Sequence, residues 1–145
     1  MNTQSNPLIG SWSIVSTERK LLPSLEVIDT FRPGTRGFIH YMPDARMSVV
    51  ITEGGRAAPA GLVATDPEAV AMFRTVMAYA GRYTFEGDRV LHHIEICSLE
   101  TWSGQTQTRL VHLDGPILRL STLASNDPFT GQYSHRAITW QRIEA

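Results

Sequence analysis

Histidine, arginine and tyrosine side chains at alternating positions are what this sequence offers for chemistry, and the run Val90-Leu91-His92-His93-Ile94-Glu95-Ile96-Cys97 concentrates them. In an extended chain successive side chains point to opposite faces. His92 therefore shares a face with Val90, Ile94 and Ile96, and His93 shares one with Leu91, Glu95 and Cys97. The apolar set predicts that His92 points inward. If the phase slips by one residue, His93 and Glu95 become an internal acid/base pair about 7 Å apart along the strand. Either phase sends one histidine inside, to carry a proton near neutral pH or to sit hydrogen-bonded in the wall.

Gln107, Arg109, Val111 and Leu113 alternate in the same way, and the apolar pair marks their face as internal. A buried guanidinium without a partner is costly, so Arg109 should meet Glu95, a phenol or an anionic ligand. His92, His93, Glu95 and Arg109 are thus the candidate catalytic residues. The five histidines (His40, His92, His93, His112 and His135) do not predict a metal centre, because His92 and His93 cannot both face one ion in a regular strand. The single cysteine, Cys97, excludes an intrachain disulfide and a thiolate-rich zinc site. Neither Cys97 nor any serine stands in a recognisable nucleophile motif, and Gly54-Gly55 precedes no lysine-bearing helix start, so covalent catalysis and nucleotide binding are disfavoured. No metal and no cofactor is expected. Haem on a histidine such as His135 is a remote alternative, since no attachment motif is present.

The elements that must position these residues read mostly as strands. Segments 10–18, 26–31, 37–42, 46–52, 82–86, 89–98, 105–113, 117–123 and 131–143 alternate in hydrophobicity and are separated by turn signals such as Arg32-Pro33-Gly34, Gly87-Asp88 and Asp114-Gly115. In the first of them Trp12, Ile14 and Ser16 fall on one face, with Val15 and Thr17 on the other. Residues 53–64 are rich in glycine, alanine and proline and predict a mobile loop. A helix over about 66–80 follows, started by a capping box at Thr65–Glu68 or by Asp66 as cap, and stopped by Gly81. Its apolar arc, with Val70, Phe73, Met77 and Ala80 at helical spacing, is wide enough to require an apolar surface beneath it.

At 145 residues with 42% hydrophobic content, the chain fits a single domain over 1–145. A formal charge of -1, from 13 basic and 14 acidic residues, recommends no nucleic-acid or anionic-membrane partner. The start Met1-Asn2-Thr3-Gln4-Ser5-Asn6-Pro7 has no secretory character and no run is long enough for a membrane span, so a cytoplasmic location is expected. About nine antiparallel strands would leave exposed edges in an open sheet, and closure removes them. The expected class is mainly β, a barrel of about 8–10 strands with one lid-like helix, although an open sandwich would also house the strands. The early Gly10-Ser11-Trp12 suggests that the indole plugs the closed end of such a barrel.

The chain resembles the bacterial lipocalin-like domain family of the wider calycin group. The resemblance rests on Leu8-Ile9-Gly10-Ser11-Trp12, Gly37-Phe38-Ile39-His40-Tyr41 followed by Met47-Ser48-Val49, Tyr79-Ala80-Gly81-Arg82-Tyr83, and His92-His93-Ile94-Glu95. It extends through Leu113-Asp114-Gly115, Leu120-Ser121-Thr122 and the closing Trp140-Gln141-Arg142. It implies a barrel with a cavity but no single activity, since relatives serve as carriers or as cofactor-free enzymes. It also implies that Arg136 or Arg142 covers Trp12 through a cation-π contact.

Two functions compete on this reading. One is binding of a small apolar or aromatic molecule, entered where the 53–64 loop and a helix bearing Phe73, Val76, Met77 and Tyr79 form a lid. Tyr41, Met47, Val49, Tyr83, Gln107 and Leu120 would supply the wall contacts. The other is a cofactor-free isomerase, cyclase or lyase in which His92 or His93 moves a proton and Tyr41, Tyr83 or Arg109 holds an oxyanion. Either function leaves room for a homodimer.

Overall fold

A computed structural model describes residues 5–144; the expectation drawn from Met1 to Gln4 lies outside them. The chain runs β1 (Gly10–Leu21), β2 (Val27–Asp29), β3 (Arg36–Tyr41), β4 (Arg46–Thr52), α1 (Asp66–Arg74), β5 (Val76–Phe85) and β6 (Arg89–Cys97). A 3-10 turn (Glu100–Trp102) then leads to β7 (Thr106–Asp114), β8 (Ile117–Thr122), β9 (Ser125–Asn126) and β10 (Tyr133–Arg142). Neighbouring strands pair antiparallel, and β1 closes the ring by pairing with both β3 and β10. Eight strands form the closed barrel, while β2 and β9 extend its sheet from β1 and β10. Closure satisfies the backbone groups that an open edge would expose. Among the described residues no helix is long and apolar enough to cross a membrane.

Inward positions carry the core: Ile39 and Tyr41 of β3, Met47 and Val49 of β4, Tyr79 and Tyr83 of β5, Val90 and Ile94 of β6, Leu118 and Leu120 of β8. One end is plugged. Leu8 and Trp12 are fully buried there, and the Trp12 indole N–H donates to the Leu8 carbonyl at 2.9 Å. Arg142, rather than Arg136, covers the indole, its guanidinium carbon 4.2 Å from the ring centroid. The same guanidinium donates to the carbonyls of Ile9 (2.9 Å) and Pro7 (2.6 Å), which ties the N-terminal segment to β10. Gly10 permits this approach, because its φ of +136° favours glycine and a Cβ there would stand 2.7 Å from Arg142 Nη1.

Two bulges correct the predicted alternation. In β1 the register to β10 shifts between Ile14 and Ser16, so Val15 is an extra, exposed residue. Downstream of it Thr17 and Arg19 turn inward, where a strict alternation from Trp12 would place Ser16. In β6 the register to β5 skips Glu95, which reverses the faces after Ile94: Ile96 is 68% exposed and Cys97 packs against the core. Gly81 enables this second bulge. A Cβ there would lie 1.9 Å from the His93 carbonyl oxygen, so only glycine lets the bulged strand approach.

The helix is shorter than its sequence pattern suggests. Thr65 is its cap, its hydroxyl accepting from the Glu68 N–H while the Glu68 carboxylate accepts from the Thr65 N–H, and Pro67 occupies the first turn. It ends at Arg74, where Thr75 folds its hydroxyl back onto the Ala71 carbonyl at 2.7 Å. From Val76 the chain pairs with β4 at Thr52, so Met77, Tyr79 and Ala80 belong to β5 and Gly81 is no helix stop. β-branched Thr75 and Val76 favour that switch, and pairing along all of β4 outweighs the further turn and a half or so of helix. No residue of α1 is buried, and Val70 and Phe73 remain half-exposed, so the apolar arc has no surface beneath it.

Candidate functional site

Opposite the Trp12 plug the barrel opens into a cavity of about 670 Å³. Its depth is walled by Ile39, Val49, Leu120, Ile138 and Trp140, and its middle by Tyr79, His92, Trp102 and Arg109. Thr17, Arg19, Thr35, Glu53, Arg74, Met77, Gln107 and the 122–130 segment surround the mouth. Ile39 and Trp140 form the floor nearest the plug, Ile39 pairing with Trp12 itself, and the mouth residues lie toward the opposite strand ends.

His92 stands at the centre, fully buried, with both ring nitrogens engaged. Tyr41 Oη lies 2.7 Å from Nε2 and Tyr79 Oη lies 2.6 Å from Nδ1. The three side chains come from β3, β6 and β5, which the inward curl of the consecutive strands β3 to β6 brings together. Burial, the charge of Arg109 and the proximity of His93 hold the His92 imidazolium pKa well below its usual value. The ring is neutral at physiological pH, with one N–H and one lone pair. Burial likewise pushes the phenols of Tyr41 and Tyr79 up, an effect opposed in both by Arg109. With phenols on both nitrogens, the imidazole presents no free nitrogen to the cavity it lines.

Arg109 is 9% exposed. Its Nη1 donates to the Thr108 carbonyl at 3.2 Å, and the guanidinium carbon stands 5.6 Å from the centroid of Trp102. Glu95 is not its partner. The bulge places Glu95 on the outer face, in ion pairs with Arg46 (2.9 Å) and Arg82 (3.7 Å). His93 faces outward too, between the hydroxyls of Thr84 (2.8 Å) and Thr106 (3.1 Å), so the barrel wall separates this pair from the cavity.

Of the other expected contacts, Val49, Met77, Tyr79, Gln107 and Leu120 line the cavity. Met47 and Tyr83 are packed in the core beyond it, toward the plug, where Tyr83 donates to the Met42 carbonyl and accepts from Asn6. Tyr41 meets the cavity only through His92. Phe73 stands on the exposed helix, away from the cavity wall, because α1 offers the mouth only its C-terminal end.

Alternation alone missed Thr17 and Arg19, whose orientation depends on the β1 bulge, and the aromatic wall supplied by Trp102 and Trp140. It also missed a polar clasp at the mouth. Asp127, nearly buried, accepts from the N–H groups of Phe129 (2.9 Å) and Thr130 (3.0 Å) and from Arg136 (2.7 Å), with Arg19 at 3.7 Å. Burial acts to raise its pKa, but the Arg136 hydrogen bond, the two N–H groups and the Arg136 charge together hold it below the usual carboxylate value. In the sequence, Asn126-Asp127-Pro128 marks a turn but says nothing of its ion pairs.

Comparison with known proteins agrees with this architecture. The lipocalin-like domain model matches residues 9–143. A similar protein is the 4'-hydroxy-3'-methoxypropiophenone carrier protein ppsC of Aspergillus oryzae, 34% identical over 90 residues that cover 57% of this chain and 80% of that protein. With a closed antiparallel barrel, a plugged end and a match along almost its whole length, this chain belongs to the lipocalin-like domain family.

Proposed function

We propose that this protein is a carrier that holds a small aromatic molecule in the barrel cavity. The observation that carries the reading is the cavity itself: about 670 Å³, open at one end, apolar in depth and crossed by a few convergent polar groups. Small-molecule sites have this size and composition. Tyr79, Trp102 and Trp140 offer aromatic faces for a flat ligand, and offset or edge contacts between rings add to the gain from burial. The similarity to a protein named as carrier of a hydroxy-methoxy aryl ketone supports the same class of cargo here. A half-buried, unpaired Cys97 suits a reducing compartment, in keeping with a cytoplasmic carrier.

Catalysis by His92 is the weaker reading, because both nitrogens are already hydrogen-bonded and Glu95 stands outside. The test is a titration with 4'-hydroxy-3'-methoxypropiophenone, followed by calorimetry and by tryptophan emission. We expect saturable one-to-one binding that perturbs emission, with a smaller change in Trp102→Phe. Absence of binding by this ketone and by a panel of simpler aryl ketones overturns the carrier reading.

A further inference from the structure

The hydrogen-bond chain in the cavity wall has a direction, and that direction selects the ligand. A neutral imidazole gives one hydrogen bond and takes one. Tyr41 is buried among Tyr83, Met47 and Ile39, and its hydroxyl is hydrogen-bonded to His92 Nε2. The neighbouring Tyr83 hydroxyl, whose ring centroid lies 4.9 Å away, spends its own proton on the Met42 carbonyl and accepts from Asn6. If Nε2 carried the proton and donated to Tyr41, the Tyr41 O–H would have no acceptor among the described residues. Such a stranded buried donor costs about 1–3 kcal/mol.

The arrangement that avoids this cost runs the other way. Tyr41 donates to Nε2, Nδ1–H donates to the Tyr79 oxygen, and the Tyr79 proton is left over. Tyr79 lines the cavity, so the chain delivers one unspent O–H there. Arg109 reinforces it. An arginine has five N–H groups and accepts nothing; this one gives one to the Thr108 carbonyl and turns others toward the Tyr79 oxygen, which leaves the Tyr79 proton, not its lone pairs, for the cavity. Trp140, also in the wall, has a buried indole N–H without a hydrogen-bond partner. The unspent polar capacity of the inner cavity therefore consists of donors, and one of them is charged.

Resting on the carrier reading above, we propose that Tyr79 and Arg109 form a donor pair that binds an acceptor oxygen of the aromatic cargo, a ketone carbonyl or a phenolate. Tyr41 and His92 do not touch the cargo; they are positioning residues that fix which way the Tyr79 proton points. A hydrocarbon of the same shape fills the cavity but leaves the donors unpaired, which lowers its affinity.

The test pairs three probes of similar shape, propiophenone, 4-propylphenol and propylbenzene, with the wild type and with Tyr79→Phe and Arg109→Met. Expected for the wild type is binding of propiophenone or 4-propylphenol about tenfold or more tighter than propylbenzene. The preferred of the two identifies the oxygen as carbonyl or phenol, and a red-shifted absorption of bound 4-propylphenol marks the phenolate. Each substitution should weaken the preferred probe about tenfold while keeping propylbenzene within about twofold, the selective loss that defines a pairwise contact. Propylbenzene binding also reports an intact cavity. If Tyr79→Phe does not fold, Arg109→Met and the wild-type probe ranking still decide. Equal affinities for all three probes, or equal weakening of oxygenated and hydrocarbon probes, overturn the donor pair while leaving the carrier reading standing; no binding of any probe to the wild type overturns both.

Discussion

A histidine with a phenol on each nitrogen makes this barrel sensitive to acid. His92 is neutral when folded because burial and the Arg109 charge depress its pKa, whereas in the unfolded chain it titrates near its usual 6.5. Below that value the unfolded state binds a proton that the folded state refuses, so stability must fall as the pH drops from about 6.5 toward the depressed folded pKa. Within that window the loss is up to about 1.4 kcal/mol per pH unit. Asp127 adds a second, lower window: its carboxylate is favoured in the fold, and that contribution vanishes as the pH falls below the usual value of 3.8. Thermal melts between pH 7 and pH 5 should show a falling Tm for the wild type. His92→Gln should be less stable at pH 7 and flatter across that range; an equally steep slope in the variant would assign the effect to other groups. If the proposed donor pair holds the cargo, its affinity should persist below pH 6.5 and fall only once the depressed folded pKa of His92 is reached, where a protonated ring can no longer accept from Tyr41.

Strands deliver these residues, and the bulges decide which of them arrive. Gly81 sits opposite the extra residue Glu95, with the His93 carbonyl 1.9 Å from where a Cβ would be. Gly81→Ala must push β5 and β6 apart or abolish the bulge, and we expect a loss of more than about 2 kcal/mol, the range of backbone clashes in a packed site. Hydrogen exchange should accelerate along β5 and β6; an unchanged Tm would mean that the strands approach less closely. The bulge also explains what the sequence made legible. Period-two alternation identified Tyr41, Met47, Val49, Tyr83 and Leu120 as inward because hydrophobic burial enforces the pleat on regular strands. It identified His92 and Arg109 for the same reason. It failed beyond Val15 and Glu95, where one inserted residue reverses the faces, and no residue type announces that insertion except a glycine on the partner strand. The helix end was misjudged by a different cause: the apolar spacing of Val70, Phe73, Met77 and Ala80 fits a helix, but pairing with β4 claims the chain from Val76 onward.

Across the whole molecule the two ends of the barrel do different work. One end is packed around Leu8 and Trp12 and strapped by Arg142; the other holds the cavity, with Asp127 clasping the 127–130 turn to Arg136. Because the ring of strands is closed, loosening the plug lowers the stability of the fold as a unit. Arg142 and Trp12 themselves lie outside the cavity wall, which the plug touches through the pairing of Trp12 with Ile39. Arg142→Ala removes the contact over the indole and two charge-assisted bonds to backbone carbonyls, each partly solvated, and should cost about 1–3 kcal/mol. For a chain of this length that lowers Tm by roughly 3–10 °C. Cargo affinity should stay within about twofold, and saturating cargo should stabilise variant and wild type by the same free energy, about 2.7 kcal/mol at a hundredfold excess over Kd. Scanning calorimetry with and without 4'-hydroxy-3'-methoxypropiophenone measures both terms. Equal stabilisation on a lowered baseline establishes that plug and cavity are energetically independent; a tenfold loss of affinity in Arg142→Ala would show instead that the plug holds the donors of the cavity in place.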